Sequence, residues 1–351
     1  MSFGSDNWAG AADAVMATLA EANDGQAPAY GDDAWTGRAC DLLRQWFERD
    51  VSVFFVSTGT AANSLALALY SKPGGAVMCH VDAHLARDEA GGPLLFAPGT
   101  QLDVLDGAAG RITTEGLSAR LAQYPPGVVH HGRPAVVSIT NVNEIGQCYT
   151  AADIAELAAL AHGRDCALHM DGARFANALA HTGAAPADIT WRAGVDVLSL
   201  GFTKTGGWAA EAVVLFDTAL REDAAYRHKQ AAQLFSKNRF ASAQFVALLR
   251  DNHVLGLAGH ANAMAARIAT TLEASGAASL VMPTQSNEVF AFVSPEAVAR
   301  LNAAGIVCAP YGFRSAFIPE PPQDGWELRR FVASFRTSDG EIDALAKALA
   351  G

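Results

Sequence analysis

Up to Phe216, short apolar runs alternate with Ala/Leu-rich stretches that carry helical spacing. The runs at 51–56, 76–79, 102–105, 135–139, 167–170, 195–200 and 212–216 predict strands, and the stretches 61–70 and 151–161 predict helices. Most of these strands are apolar nearly throughout, with no in-and-out alternation. A strand of that kind is buried on both faces, which points to a mostly parallel sheet covered by helices. Past Phe216 the rhythm changes. A long helical region is expected over 226–249 and another over 260–275, then a strand at 289–293, a helix at 295–304, a strand at 331–335 and a closing helix from Asp339. The reading is an α/β fold, with a large domain over 1–250 that includes an N-terminal arm over 1–30, and a smaller α+β domain over 251–351.

Composition narrows the function. Half of the 351 residues are apolar and 17% are charged, so a substantial core is available and wholesale disorder is excluded. The 25 Lys and Arg against 36 Asp and Glu give a net charge of −11. A surface that acidic repels nucleic acid and anionic membranes, while a small anionic ligand in a local basic pocket remains allowed. The uncharged stretch 51–71 is long enough for a membrane span, but Ser57-Thr58-Gly59-Thr60 and Asn63 interrupt it. It reads as strand, polar turn and helix. No basic or apolar leader is visible near Met1, and the five cysteines form no C-x-x-C pair, so reduced thiols and a cytoplasmic location are expected.

Five lysines occur, and four lie in polar turns or on helix faces. Lys204 sits in Leu198-Ser-Leu-Gly-Phe-Thr-Lys-Thr-Gly-Gly-Trp208, among apolar residues and between two predicted strands. Desolvation there would free its amine for attack on an aldehyde; an ordinary lysine of a surface hairpin is the competing reading. The 57–63 turn between a strand and a helix offers free N–H groups to a phosphate, although it matches neither the dinucleotide fingerprint nor the P-loop. Asp171 ends a buried strand and so needs a cationic partner, either a protonated pyridine nitrogen or Arg174 three residues on.

The order of the three pieces is more specific than any one of them. Phosphate cup, strand-end Asp and then Lys 33 residues later would meet outside the carboxyl ends of a parallel sheet. This is the layout of pyridoxal-phosphate (PLP) enzymes of fold type I, the aspartate-aminotransferase-like fold. Further segments carry a closer likeness: Ser5-Asp6-Asn7, Tyr30-Gly31-Asp32-Asp33, Gly59-Thr60-Ala61-Ala62-Asn63, His84 with Asp88-Glu89-Ala90-Gly91-Gly92, His169-Met-Asp-Gly-Ala-Arg174, Thr203-Lys204 and Arg330-Phe-Val-Ala-Ser-Phe335. Over nearly its whole length the chain resembles the low-specificity L-threonine aldolases of the β-eliminating-lyase group, and most closely the branch that also cleaves β-phenylserine.

That resemblance implies a role for each matched residue. Lys204 would carry pyridoxal 5'-phosphate covalently, Asp171 would pair with its ring nitrogen and His84 would stack on the ring. Gly59, Thr60 and Thr203 would hold the phosphate, with Arg239 in a stretch that can reach a neighbouring subunit's phosphate. Ser5, Tyr30, Arg174 and Arg330 would bind the amino-acid substrate. The resemblance also implies a homotetramer built as a dimer of dimers. His84 is the first candidate for the base that takes the β-hydroxyl proton, with Asp88 orienting it and His130 or His131 second. The family's histidine after the 135–139 strand is replaced here by Thr140-Asn141-Val142-Asn143-Glu144-Ile145-Gly146. His80 and His84 have a zinc-like spacing but lack the Glu of H-E-x-x-H, so no metal is expected. An aminotransferase or β-eliminating lyase on the same fold, and a non-catalytic sugar- or nucleotide-binding module, are the alternatives.

Overall fold

The computed structural model describes residues 1–350. Seven strands form the first sheet: β1 (Ser52–Val56), β2 (Gly75–His80), β3 (Gln101–Leu105), β4 (Arg133–Thr140), β5 (Ala167–Gly172), β6 (Val197–Gly201) and β7 (Glu211–Leu215). Their order is β1-β7-β6-β5-β4-β2-β3. β7 is antiparallel to both neighbours and the remaining pairs are parallel, so six strands point one way and β7 alone is reversed. Burial explains the apolar runs: every residue of β2, β5, β6 and β7 is buried. The reversal of β7 puts its first residue, Glu211, at the edge where the other strands end, opposite Val56 and Gly201.

The second sheet holds β8 (Ala278–Leu280), β9 (Glu288–Val293), β10 (Ala309–Pro310) and β11 (Glu327–Val332) in the antiparallel order β10-β11-β9-β8. It has a core of its own, built on Val289, Ala291, Val293 and Phe331 with Ile268 and Leu272 of the helix His253–Ala274. Phe3 is fully buried in this second core, at 6.4 Å from the Phe331 ring. Backbone bonds from Phe3 N–H to Val307 and from Val332 N–H to Phe3 secure it, both at 2.8 Å. Burying a side chain of that size is worth about 1.5–3 kcal/mol. The first residues are therefore bound to the second sheet, although the pattern had grouped 1–30 with the first.

Three elements differ clearly from the sequence expectation; the helix expected over 260–275 begins already at His253. The helical region 226–249 is two helices, Arg221–Gln230 and Arg239–Leu249, with Ala232 at φ +58° in the break between them. The last strand lies earlier than 331–335, because Arg329 and Arg330 pair across β9 while Ala333 leaves the ladder to bond Asn287. No helix among the described residues is long and apolar enough to cross a membrane.

Candidate active site

A cavity of about 360 Å³ opens at the edge where the parallel strands end. The turn after β1 supplies its floor on one side. Thr58 caps the helix Gly59–Tyr70 by accepting from Ala61 N–H at 3.1 Å, which leaves the first-turn N–H groups of Gly59 and Thr60 free and facing the cavity. Thr203 and Lys204 enter from a single 3-10 turn between β6 and β7. Gly206 ends that turn at φ +101°, and its carbonyl accepts from Ala12 N–H at 2.8 Å. A Cβ there would meet Leu257 at 2.7 Å, so only glycine fits both the conformation and the space.

Lys204 does not have the apolar surroundings that its segment implied. Its charge is felt by Asp6, His84, Glu211 and Glu288, so the amine stands in an acidic bowl. Glu211 is buried beside it. Burial pushes its carboxyl up to about 7 and the Asp171 charge adds to this, against the opposing effects of Thr203 and Lys204. Gly201 makes room for it, since a Cβ at that position would lie 2.7 Å from Glu211 Oε2 and 3.1 Å from the Ala173 backbone.

Asp171, at the end of β5, is 4% exposed. It accepts from Asn63 Nδ2 at 2.8 Å and from Ala173 N–H at 3.0 Å. Arg174 is not its partner. The Arg174 guanidinium instead grips Asp6 through Nε at 2.8 Å and Nη2 at 3.1 Å, and pairs with Glu288 through Nη1 at 3.0 Å. Burial alone would raise the Asp6 carboxyl, but the Arg174 and Lys204 charges and hydrogen bonds from Arg174 and Asn287 outweigh it and hold Asp6 below the ordinary carboxylate range. Arg330 stands behind this pair, 3.5 Å from Glu288, outside the cavity lining.

Behind Asp171, the His169 ring bridges Ser138 on β4 and Ser199 on β6, at 2.8 and 2.9 Å. Burial drives its pKa down to about 4, so it is a neutral strut. His84 faces the cavity with its side chain 43% exposed and its Nδ1 2.8 Å from Glu89 Oε1. Asn63 also donates to that Glu89 oxygen, so His84, Glu89, Asn63 and Asp171 form one hydrogen-bonded chain. The Glu89 hydrogen bond raises the His84 pKa, more than burial lowers it.

Several sequence candidates take other places. The orienting partner of His84 is Glu89, not Asp88: the helix His84–Arg87 stops after one turn and leaves Asp88 exposed as its cap. His130 and His131 are exposed before the amino end of β4, whereas the cavity lies beyond carboxyl ends, so neither reaches it. Tyr30 and Arg239 lie outside the cavity, Tyr30 under Lys229 at 5.2 Å and Arg239 bonded to the Gly25 carbonyl. Ser5 is not at the wall either; its hydroxyl accepts from the N–H of Asn7, which is. His80 and His84 do not converge, because His80 turns to Asp82 N–H and Asp106. Asp6, Asn63, Glu89, Glu144, Glu211 and Glu288 went unassigned in the sequence. Asp6, Asn63 and Glu89 stood inside quoted motifs, and Glu144 inside the segment that departs from the family.

The buried Asp171 carboxylate decides whether PLP fits. Among the described residues no Lys, Arg or His forms an ion pair with it, and it faces a cavity that also holds Lys204 and free helix N–H groups. A protonated pyridine carrying a phosphate meets both needs, and Asp171, Lys204, Gly59, Thr60 and Thr203 are the residues placed to hold it. The architecture is that of the fold-type-I PLP enzymes. A serine palmitoyltransferase from S. paucimobilis with a bound PLP–myriocin ligand superposes with a TM-score of 0.72 at 16% identity, covering 100% of this chain and 86% of that one; this likeness concerns the fold alone. The threonine aldolase of Leishmania major superposes with a TM-score of 0.89 at 28% identity over 99% and 98% of the two chains. In sequence, a low specificity L-threonine aldolase of Pseudomonas aeruginosa is 42% identical over 303 residues, 86% of this chain and 87% of that protein. Residues 2–296 match the model of the β-eliminating lyases, and the chain belongs to that family.

Proposed function

We propose that this chain is a PLP-dependent aldolase that cleaves L-threonine, L-allo-threonine and related β-hydroxy-α-amino acids, L-phenylserine among them, into glycine and an aldehyde. The observation that carries the reading is the uncompensated Asp171 carboxylate facing Lys204 across one cavity, in a chain 42% identical to a low specificity L-threonine aldolase. When bound, PLP supplies an electron sink for the pair left on Cα when a bond to it breaks.

The chain's own residues select which bond that is. The Arg174 guanidinium borders the cavity and keeps N–H donors beyond those it gives to Asp6 and Glu288. Those donors grip the substrate carboxylate, with Arg330 supporting from behind Glu288. Fixing the carboxylate fixes the rotation about Cα, and so presents the Cα–Cβ bond for cleavage. The half-exposed His84 ring, oriented by Glu89, would stack on the cofactor when it is bound.

Tyr30 and Arg239 both lie away from their own cavity, and in a homotetramer they would serve a neighbouring site. The five cysteines are unpaired, which supports a reducing, cytoplasmic setting. Incubating holoprotein with L-threonine, L-allo-threonine and L-phenylserine tests the activity, with Lys204→Ala as the blank. Glycine and aldehyde in equal amounts are expected from the wild type and none from the variant. A keto acid without aldehyde would assign an aminotransferase, and no product from any of the three would overturn the reading.

A further inference from the structure

Retro-aldol cleavage needs a group that removes the hydroxyl proton on Cβ, and the structure reorders the candidates for it. His130 and His131 are at the wrong end of the sheet. His84 is bound to Glu89, which favours its charged ring and so opposes a role as proton acceptor. Resting on the aldolase reading, we propose that Glu144 is the catalytic base, accepting the β-hydroxyl proton on Oε2.

Glu144 borders the same cavity as Lys204, Asp171 and Arg174, at the tip of the turn after β4. The turn is locked from both sides. Asn143 Oδ1 accepts from the N–H groups of Ile145 and Gln147, at 3.2 and 2.9 Å, and its Nδ2 donates to the Ala109 and Gly110 carbonyls. Asn141 clamps Tyr149 by accepting from its N–H and donating to its carbonyl. Ile145 packs beside Phe290 of the second sheet. Within this frame Glu144 Oε1 accepts from His84 N–H at 2.7 Å and from Thr140 Oγ1 at 3.2 Å. Oε2 takes no hydrogen bond from any other residue and is not among the sealed, unpartnered oxygens, so it opens to the cavity. One oxygen is anchored and the other is free, the arrangement a positioned base requires.

Its acidity suits the task. Burial and the Asp171 charge raise the Glu144 carboxyl to about 7 against the opposing His84 N–H bond, poised to take and return a proton near neutral pH. The other titratable groups facing it are His84, Tyr311 from the segment after β10, Cys79 on β2 and Tyr149 behind the turn. In the step, the O–H bond breaks and its proton goes to Oε2. The freed pair forms the second C–O bond of the aldehyde, the Cα–Cβ bond breaks, and its pair stays on Cα. A proton drawn from solvent is added at Cα to complete glycine, and Glu144 releases the one it accepted back to solvent, so aldehyde and glycine together contain the atoms of the substrate.

Glu144→Gln and Glu144→Asp in the holoenzyme test this. The Gln variant should lose about 10²- to 10⁴-fold in kcat for L-threonine and L-phenylserine, with Glu144→Asp retaining more. Wild-type kcat/KM should fall on the acid side with an apparent pKa near 7, and that limb should vanish in Glu144→Gln. Exchange of the glycine α-hydrogen with deuterated water, which involves no β-hydroxyl, should stay within about threefold of wild type. Infrared titration of the apoprotein gives a readout free of turnover: a carboxylic-acid band titrating near pH 7 should lose one component in Glu144→Gln, while the Glu211 component persists. Wild type that makes no aldehyde overturns the aldolase reading and this assignment with it. A wild type that cleaves while Glu144→Gln cleaves equally fast, or a variant that loses glycine exchange as severely as cleavage, removes Glu144 alone.

Discussion

Neutralising Asp6 by Asp6→Asn is expected to loosen the cavity from a distance. Asp6 is 2% exposed and takes two hydrogen bonds from Arg174 and a third, at 2.9 Å, from Asn287. Removing one member of a buried ion pair costs about 3–5 kcal/mol, because the other charge is left without compensation. Glu288 still faces Arg174 at 3.0 Å, which places the expected loss at the lower end, about 3 kcal/mol. In a chain of 351 residues that is roughly a 4 °C fall in Tm. Urea unfolding of the apoprotein, followed by the fluorescence of its six tryptophans, measures it. The pH dependence supplies the internal check. The folded-state pKa of Asp6 is depressed, so its contribution is fully present above the unfolded value near 3.8 and disappears as pH falls through the lower folded value. The part of the gap owed to the Asp6 charge should therefore persist down to about 4 and close below it. A gap under about 1 kcal/mol at neutral pH, or one still undiminished after Asp6 has protonated, would refute the argument.

Other outcomes follow from the same geometry. Asn63→Ala removes the link between Glu89 and Asp171 and is expected to cost about 2 kcal/mol and weaken retention of PLP, measured by dialysis against absorbance. Phe47 is fully buried and stands edge-on to Trp46 and Phe216, with centroids at 5.2 Å in both pairs. Phe47→Ala should lose about 3–5 kcal/mol in thermal unfolding, while KM stays unchanged because the ring is remote from the cavity.

Local signals carried much of this molecule. The apolar runs located the strands of the first sheet because double burial needs no partner information to show itself. Asp171 was conspicuous as a carboxylate near the end of a buried strand, whereas Lys204 stood out by its apolar sequence neighbours, which in the fold give way to a turn lined by acidic groups. What stayed hidden depends on contacts far along the chain. Asp6 and Arg174 are 168 residues apart, and neither position betrays the other. Asp88 looked right by helical spacing, but the helix ends at Arg87 and the chain turns Glu89 inward instead. His130 was misplaced for a reason available beforehand: a residue ahead of a parallel strand lies at the opposite edge from the ligand. Glu144 was visible as a departure from the family, but its meaning needed the two asparagine clamps that aim it.

The placement of Phe3 and Asp6 also bears on how the chain reaches its final form. Asp6 is synthesised 281 residues before Asn287, and Phe3 must wait still longer for Val332. The seven-stranded sheet can assemble earlier, so during translation this leading stretch stays unpaired while Arg174 lacks its counter-ion. Maturation of the pocket is thus a late event of biosynthesis, and a ribosome-stalled product lacking β9 and β11 would carry the lysine and aspartate of the site without the clamp that orients a substrate.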